Sequence, residues 1–150
     1  MVNYSTPLLA LYTRDLNKLK EELSLYTNES VIWKTAPGIS NSGGNLALHL
    51  IGNLNHFIGA TLGETDYIRD RDAEFESRNI LRVTLINDID STIGILIDVL
   101  GSLTNADLDR EFPLTIRDKK DSTANMLMHL YGHLAYHLGQ INYHRRLLDK

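Results

Sequence analysis

Four of the chain's six histidines fall in its last quarter, at His129, His133, His137 and His144. Residues four apart on an α-helix lie one above the other on one face, roughly 6 Å apart along the axis. Two imidazoles so placed can close on a single divalent ion, with nitrogen–metal bonds of about 2.0–2.1 Å. A further histidine, His49, sits in a second apolar segment, Leu46-Ala47-Leu48-His49-Leu50, and can supply a third ligand from another helix. His133 and His137 are the better pair, because they lie nearer the middle of their helix than His129. His129 would stand roughly 12 Å from His137, so it is expected to line the cavity or back a ligand. His56, seven residues past His49, points almost the same way but is displaced by about 10 Å. His144 is read as a solvated or structural flank residue. The expected metal ligands are therefore His49, His133 and His137.

Three neutral imidazoles leave at least one coordination position open, which is the ligand count of a catalytic site rather than a closed structural one. Nitrogen ligation suits Zn, Ni, Co or Fe(II), and the residues do not choose among them. Leu130 and Leu134 stand where a zinc protease would carry its glutamate base, so a metalloprotease is disfavoured. There is no cysteine. Disulfides, thiolate ligands and a cysteine nucleophile are excluded together. No phosphate-binding glycine loop is present, and Gly38-Ile39-Ser40-Asn41-Ser42-Gly43 reads as the approach to a helix.

Four helical patterns must position these histidines. The first opens at Ser5-Thr6-Pro7, with Ser5 as cap, and carries Leu8, Leu9, Tyr12, Leu16, Leu19, Leu23 and Tyr26 at threes and fours. The second runs from about Asn45 to Leu62, with Asn45, His49, Asn53 and His56 beside its apolar stripe. The third is predicted over Ser77–Leu100, with Leu81, Leu85, Ile89, Ile93, Leu96 and Leu100 inward. The fourth runs from Asp121-Ser122 to about Leu148, with Leu127, Leu130, Leu134, Leu138 and Ile141 as its core stripe. Asn105–Asp109 suggests a short helical turn, Phe112–Ile116 is β-prone without an obvious partner, and Trp33 is assigned to the core. The stretch Gly63–Phe75 is charged and aperiodic, too long for a tight helix–helix turn. A single all-α domain spanning 1–150, a four-helix bundle with a long crossover between its second and third helices, is the expected architecture.

Composition narrows the function classes. The net charge of −4 argues against nucleic acid, since phosphate binding needs concentrated Lys and Arg. No run of apolar residues is long enough to span a membrane. Met1-Val2-Asn3-Tyr4-Ser5 lacks the basic region and apolar run of a signal peptide, so a cytoplasmic location is expected.

At His49 and His133-x-x-x-His137-x-Gly139-Gln140 the chain resembles the DinB-like superfamily of damage-inducible helical bundles, whose motif is His…His-x-x-x-His-Arg-Gly-Gln, with Leu138 in place of the arginine. Asn45–Leu54 followed by Arg69-Asp70-Arg71-Asp72-Ala73-Glu74-Phe75 is similar to a subgroup of that superfamily of unknown function. The resemblance covers nearly the whole chain. It implies a metal, Zn or Ni first and Co, Fe or Mn behind, held by His49, His133 and His137 in a homodimeric bundle. It also implies relatives that transfer low-molecular-weight thiols, the bacillithiol transferases and the mycothiol-dependent maleylpyruvate isomerase. A chain without cysteine would take its thiol as a cosubstrate, which a metal can activate at neutral pH. A metal-dependent hydrolase and a non-enzymatic metal-binding stress protein are the alternatives. The Arg69–Phe75 segment reads first as a salt-bridged strap for the crossover. Its functional alternative puts Glu74 or Arg71 over the metal as base or cosubstrate anchor.

Overall fold

The computed structural model describes residues 3–116 and 118–150. Met1 and Val2, the start of the segment read against a signal peptide, lie outside them. Among the described residues the protein is all-α and forms no strand. Helix α1 (Ser5–Leu25) is followed by a 3-10 turn, Glu29–Trp33, and by α2 (Gly43–Leu54). That helix continues without a break as a π-helical segment, Asn55–Ala60, and a last turn, Thr61–Gly63. Then come α3 (Arg71–Glu76), α4 (Arg82–Ser102), α5 (Asn105–Asp109) and α6 (Thr123–Leu148).

The leucine stripes are what bury. Leu16, Leu19, Leu23, Leu50, Leu54, Leu85, Ile89, Leu96, Leu127 and Leu134 join one core, where α1 packs against α4 and α6 while α2 packs against α6 and α4. Trp33 joins that core as expected, its indole donating to Ile80 O. Buried polar clamps fix α6 against α1. Glu22 accepts from Asn142 and Arg145, and Tyr12 donates to Leu127 O. Each clamp satisfies a group that would otherwise be buried unpaired, at a cost of about 1–3 kcal/mol.

Several boundaries depart from the sequence expectation. Ser5 is already helical and Tyr4 takes the N-cap position without a side-chain cap, while Asn3 Oδ1, outside the helix, accepts from the Ser5 backbone N–H and hydroxyl. The third long helix begins at Arg82, not Ser77, because Asn79 adopts a left-handed φ of 59° that no helix accommodates. Leu81 therefore caps that helix from outside and is 62% exposed, rather than inward. The helix start is capped from a distance, with Arg82 N donating to Glu29 Oε1. The connection expected to lack regular structure contains α3, whose start Asp70 caps by accepting from Ala73 N. Phe112–Ile116 pairs only locally, through Phe112 N to Asp121 O and an isolated bridge of Ile116 with Lys119.

Candidate metal centre

Ser42 fixes the start of α2, its hydroxyl accepting from Asn45 N while donating to Asn45 Oδ1. The Asn45 amide then donates to Glu74 O and Ser77 O, tying α3 to the first turn of α2. One turn further on, His49 faces α6, which presents His133 and His137 at their four-residue spacing.

The three imidazoles converge through one nitrogen each. His49 Nε2 lies 3.0 Å from His133 Nε2, and His137 Nε2 lies 3.1 Å from that same atom. All three candidate ligand atoms fall within 4.8 Å of one another. Three nitrogens on one tetrahedral ion at about 2.0–2.1 Å stand roughly 3.3 Å apart, so the geometry fits.

Proton accounting supports that fit. His49 Nδ1 lies 2.8 Å from Glu74 Oε2, and His137 Nδ1 lies 2.7 Å from Gln140 Oε1. Both oxygens accept, so both Nδ1 atoms carry the proton and both Nε2 atoms turn bare lone pairs inward. A single proton on His133 Nε2 could satisfy only part of this cluster, whereas a divalent ion satisfies all three nitrogens. Burial, then the neighbouring His137 and His49, hold His133 down to about 4. Burial also lowers His137, against the Gln140 hydrogen bond. Burial thus favours the neutral form of His133 and His137, the form in which an imidazole can ligate a metal.

Glu74 is 5% exposed. Burial alone would raise its carboxyl, but hydrogen bonds from His49 and Arg69 outweigh that and hold it below the usual carboxylate range. It stands behind His49 rather than over the ligand nitrogens. Arg71 lies over the Phe75 ring, with its guanidinium carbon 5.3 Å from the centroid. The segment is therefore a salt-bridged strap, as first read, but its glutamate also reaches a candidate ligand.

The remaining histidines separate from the triad. His144 is 3% exposed and holds the far end of α6, its Nε2–H donating to Lys34 O at 2.8 Å and its Nδ1 accepting from Tyr26 at 2.7 Å. His129 is exposed on the rim of a cavity of about 310 Å³ lined by Phe112, Leu114, Ile116 and Met126. His56 stacks edge-on to Phe57, and burial lowers its pKa. Gln140 stood in the sequence motif without a role, and its three-residue spacing from His137 was the signal for one.

A family model described as a protein of unknown function (DUF1572) matches residues 8–150. The chain belongs to that family. No curated protein matches it. The match spans all three histidines, Glu74 and Gln140, so the centre lies inside the family's own domain. No helix among the described residues is long and apolar enough to cross a membrane.

Proposed function

We propose that the protein is a DinB-like four-helix bundle, one domain whose His49, His133 and His137 hold one divalent ion, and that it acts as a transferase using a low-molecular-weight thiol. The convergence of three Nε2 atoms, with two outer nitrogens committed to Glu74 and Gln140, carries the reading. The mutual contacts of the four long helices support the bundle, with α3 and its strap as the crossover.

Charge favours an anionic partner at the centre. Burial disfavours a proton's charge on His133 and His137, and the charge of Glu74 is matched by Arg69, which donates to both its oxygens. A divalent ion held there supplies a Lewis acid with open positions, lowering the pKa of a thiol or water that enters them. Hydrolysis through water is usually assisted by a base beside the open position. Glu74 is turned away behind His49 and already accepts three hydrogen bonds, so it does not serve as that base. A thiol is acidic enough to need no such residue, and the chain has no cysteine to supply one itself. The thiol reading therefore stands ahead of the hydrolase.

Cobalt substitution tests it. Small thiols of the glutathione and bacillithiol type should perturb the visible spectrum of the Co(II) protein, a matched alcohol should not, and His137→Ala should abolish the change. A cobalt spectrum unmoved by several thiols at millimolar concentration contradicts the transferase reading and puts the hydrolase ahead.

A further inference from the structure

The three imidazoles are not backed alike. His133 Nδ1 is buried with no hydrogen-bond partner among the described residues, and His137 Nδ1 meets only the amide oxygen of an exposed glutamine. His49 alone is backed by a charge. Its partner Glu74 is held at both oxygens, with Arg69 Nε 2.7 Å from Oε1 and Nη2 3.0 Å from Oε2. Arg69 in turn lies over the Phe57 ring, 5.8 Å from its centroid, and Phe75 packs on the His49 ring at 4.9 Å. Gly52, three residues beyond His49 on α2, leaves the space that the carboxylate fills, because a Cβ there would collide with Glu74.

We infer that Glu74 is a positioning residue of the metal centre, and that Arg69 keeps it one: Glu74 fixes the tautomer and aim of His49, while Arg69 holds the carboxylate outside the ion's own ligands. This rests on the reading that the triad binds an ion. A carboxylate freed to swing past the ring of a metal-binding imidazole could become a ligand itself, since hard oxygen donors suit such ions. Two guanidinium N–H groups and the interposed imidazole remove that option, because breaking them would leave charged donors buried and unpaired. The three-imidazole set then stays intact and its open position stays free. Outer partners of this kind are worth about 10–100-fold in metal affinity.

Three measurements on the full chain test the inference. Long-range proton–nitrogen NMR of the metal-free parent should show His49 protonated at Nδ1 alone, and this needs no substitution. Co(II) titration should give a dissociation constant about 10–100-fold weaker for Glu74→Gln, which keeps the shape of the side chain. Arg69→Met should leave cobalt bound but weaken its intense four-coordinate bands as the freed carboxylate enters, and adding Glu74→Gln to that variant should reverse the change. A parent that binds no divalent metal removes the underlying site. A parent that binds it while His49 carries its proton on Nε2, or while Glu74→Gln matches it in affinity and spectrum, overturns the positioning role and leaves the site standing. An Arg69→Met spectrum identical to the parent overturns the role of the guanidinium.

Discussion

Two histidine sites share helix α6 and differ in how their nitrogens are satisfied. At His144 each ring nitrogen has a protein partner of the right kind, Tyr26 donating and Lys34 O accepting, and Gly43 packs beside that pair where a Cβ would strike the Tyr26 hydroxyl. Seven residues earlier, His137 joins His133 and His49 in a cluster whose inward nitrogens have more lone pairs than protons. Burial lowers the pKa at both places. A lowered histidine pKa therefore does not distinguish a ligand from a structural residue, and counting donors against acceptors does. The first site is complete without a ligand; the second leaves lone pairs that a bound ion would satisfy.

The largest difference should appear in metal affinity. Ala at His49, His133 or His137 should weaken divalent-metal binding by more than the roughly 10–100-fold that outer partners contribute, while His144→Ala should leave it unchanged. Competition with a chromophoric chelator measures both, and equal losses at the two sites would erase the distinction.

Stability should reverse the order. His144→Ala empties a buried site and takes the nearest partner from the buried Tyr26 hydroxyl, and should cost about 2–4 kcal/mol by urea denaturation. In metal-free protein His133→Ala should cost less than about 1 kcal/mol, because it removes a nitrogen that has no partner and relieves the crowding of three lone-pair donors. Removing metal from the parent should lower stability by about 2.7 kcal/mol when free metal stood a hundredfold above its dissociation constant. The leucine core should keep the chelated protein folded at 25 °C, so complete unfolding on chelation would make the ion structural.

A smaller effect concerns pH. His144, His133 and His137 all take up a proton less readily in the folded protein than when unfolded. Below the unfolded histidine value of about 6.5 the unfolded chain binds more protons. Their contribution to stability is thus fully present above that pH and is lost as pH falls through the lowered folded values, toward about 4 for His133. Each group adds at most about 1.4 kcal/mol per pH unit, reduced where solvent reaches it. His144→Gln should make the metal-free protein less sensitive between pH 6.5 and 5. A denaturation midpoint in metal-free parent that rises on acidification would contradict the sign.

Much of this was legible in the sequence for a physical reason. Leucines at threes and fours force one buried face whatever the surroundings, and the four-residue spacing of His133 and His137 is a property of any helix. The Ser77–Leu81 error came from one residue: the left-handed Asn79 interrupts a pattern whose apolar spacing runs straight through it. The π-helical segment was also hidden, because it depends on tertiary partners. The Asn55 amide reaches across to Thr92 while also donating to Ile51 O, and Thr61 Oγ1 donates to His56 O, so side chains engage carbonyls where the helical ladder changes register. Glu74 reads first as a charge in a salt-bridged strap and otherwise as a base over the metal, and its place behind His49 was not legible. Only the docking of α3 onto Asn45 brings it to His49, and only the missing Cβ of Gly52 gives it room.

The most direct test is the metal content of the chain purified without a histidine tag, measured by elemental analysis beside His133→Ala and His144→Gln. The account predicts one divalent ion per chain in the parent and in His144→Gln, and close to none in His133→Ala. A parent that retains no divalent ion after supplementation with zinc, nickel and cobalt, or a His133→Ala protein that retains it fully, would contradict the three-histidine centre.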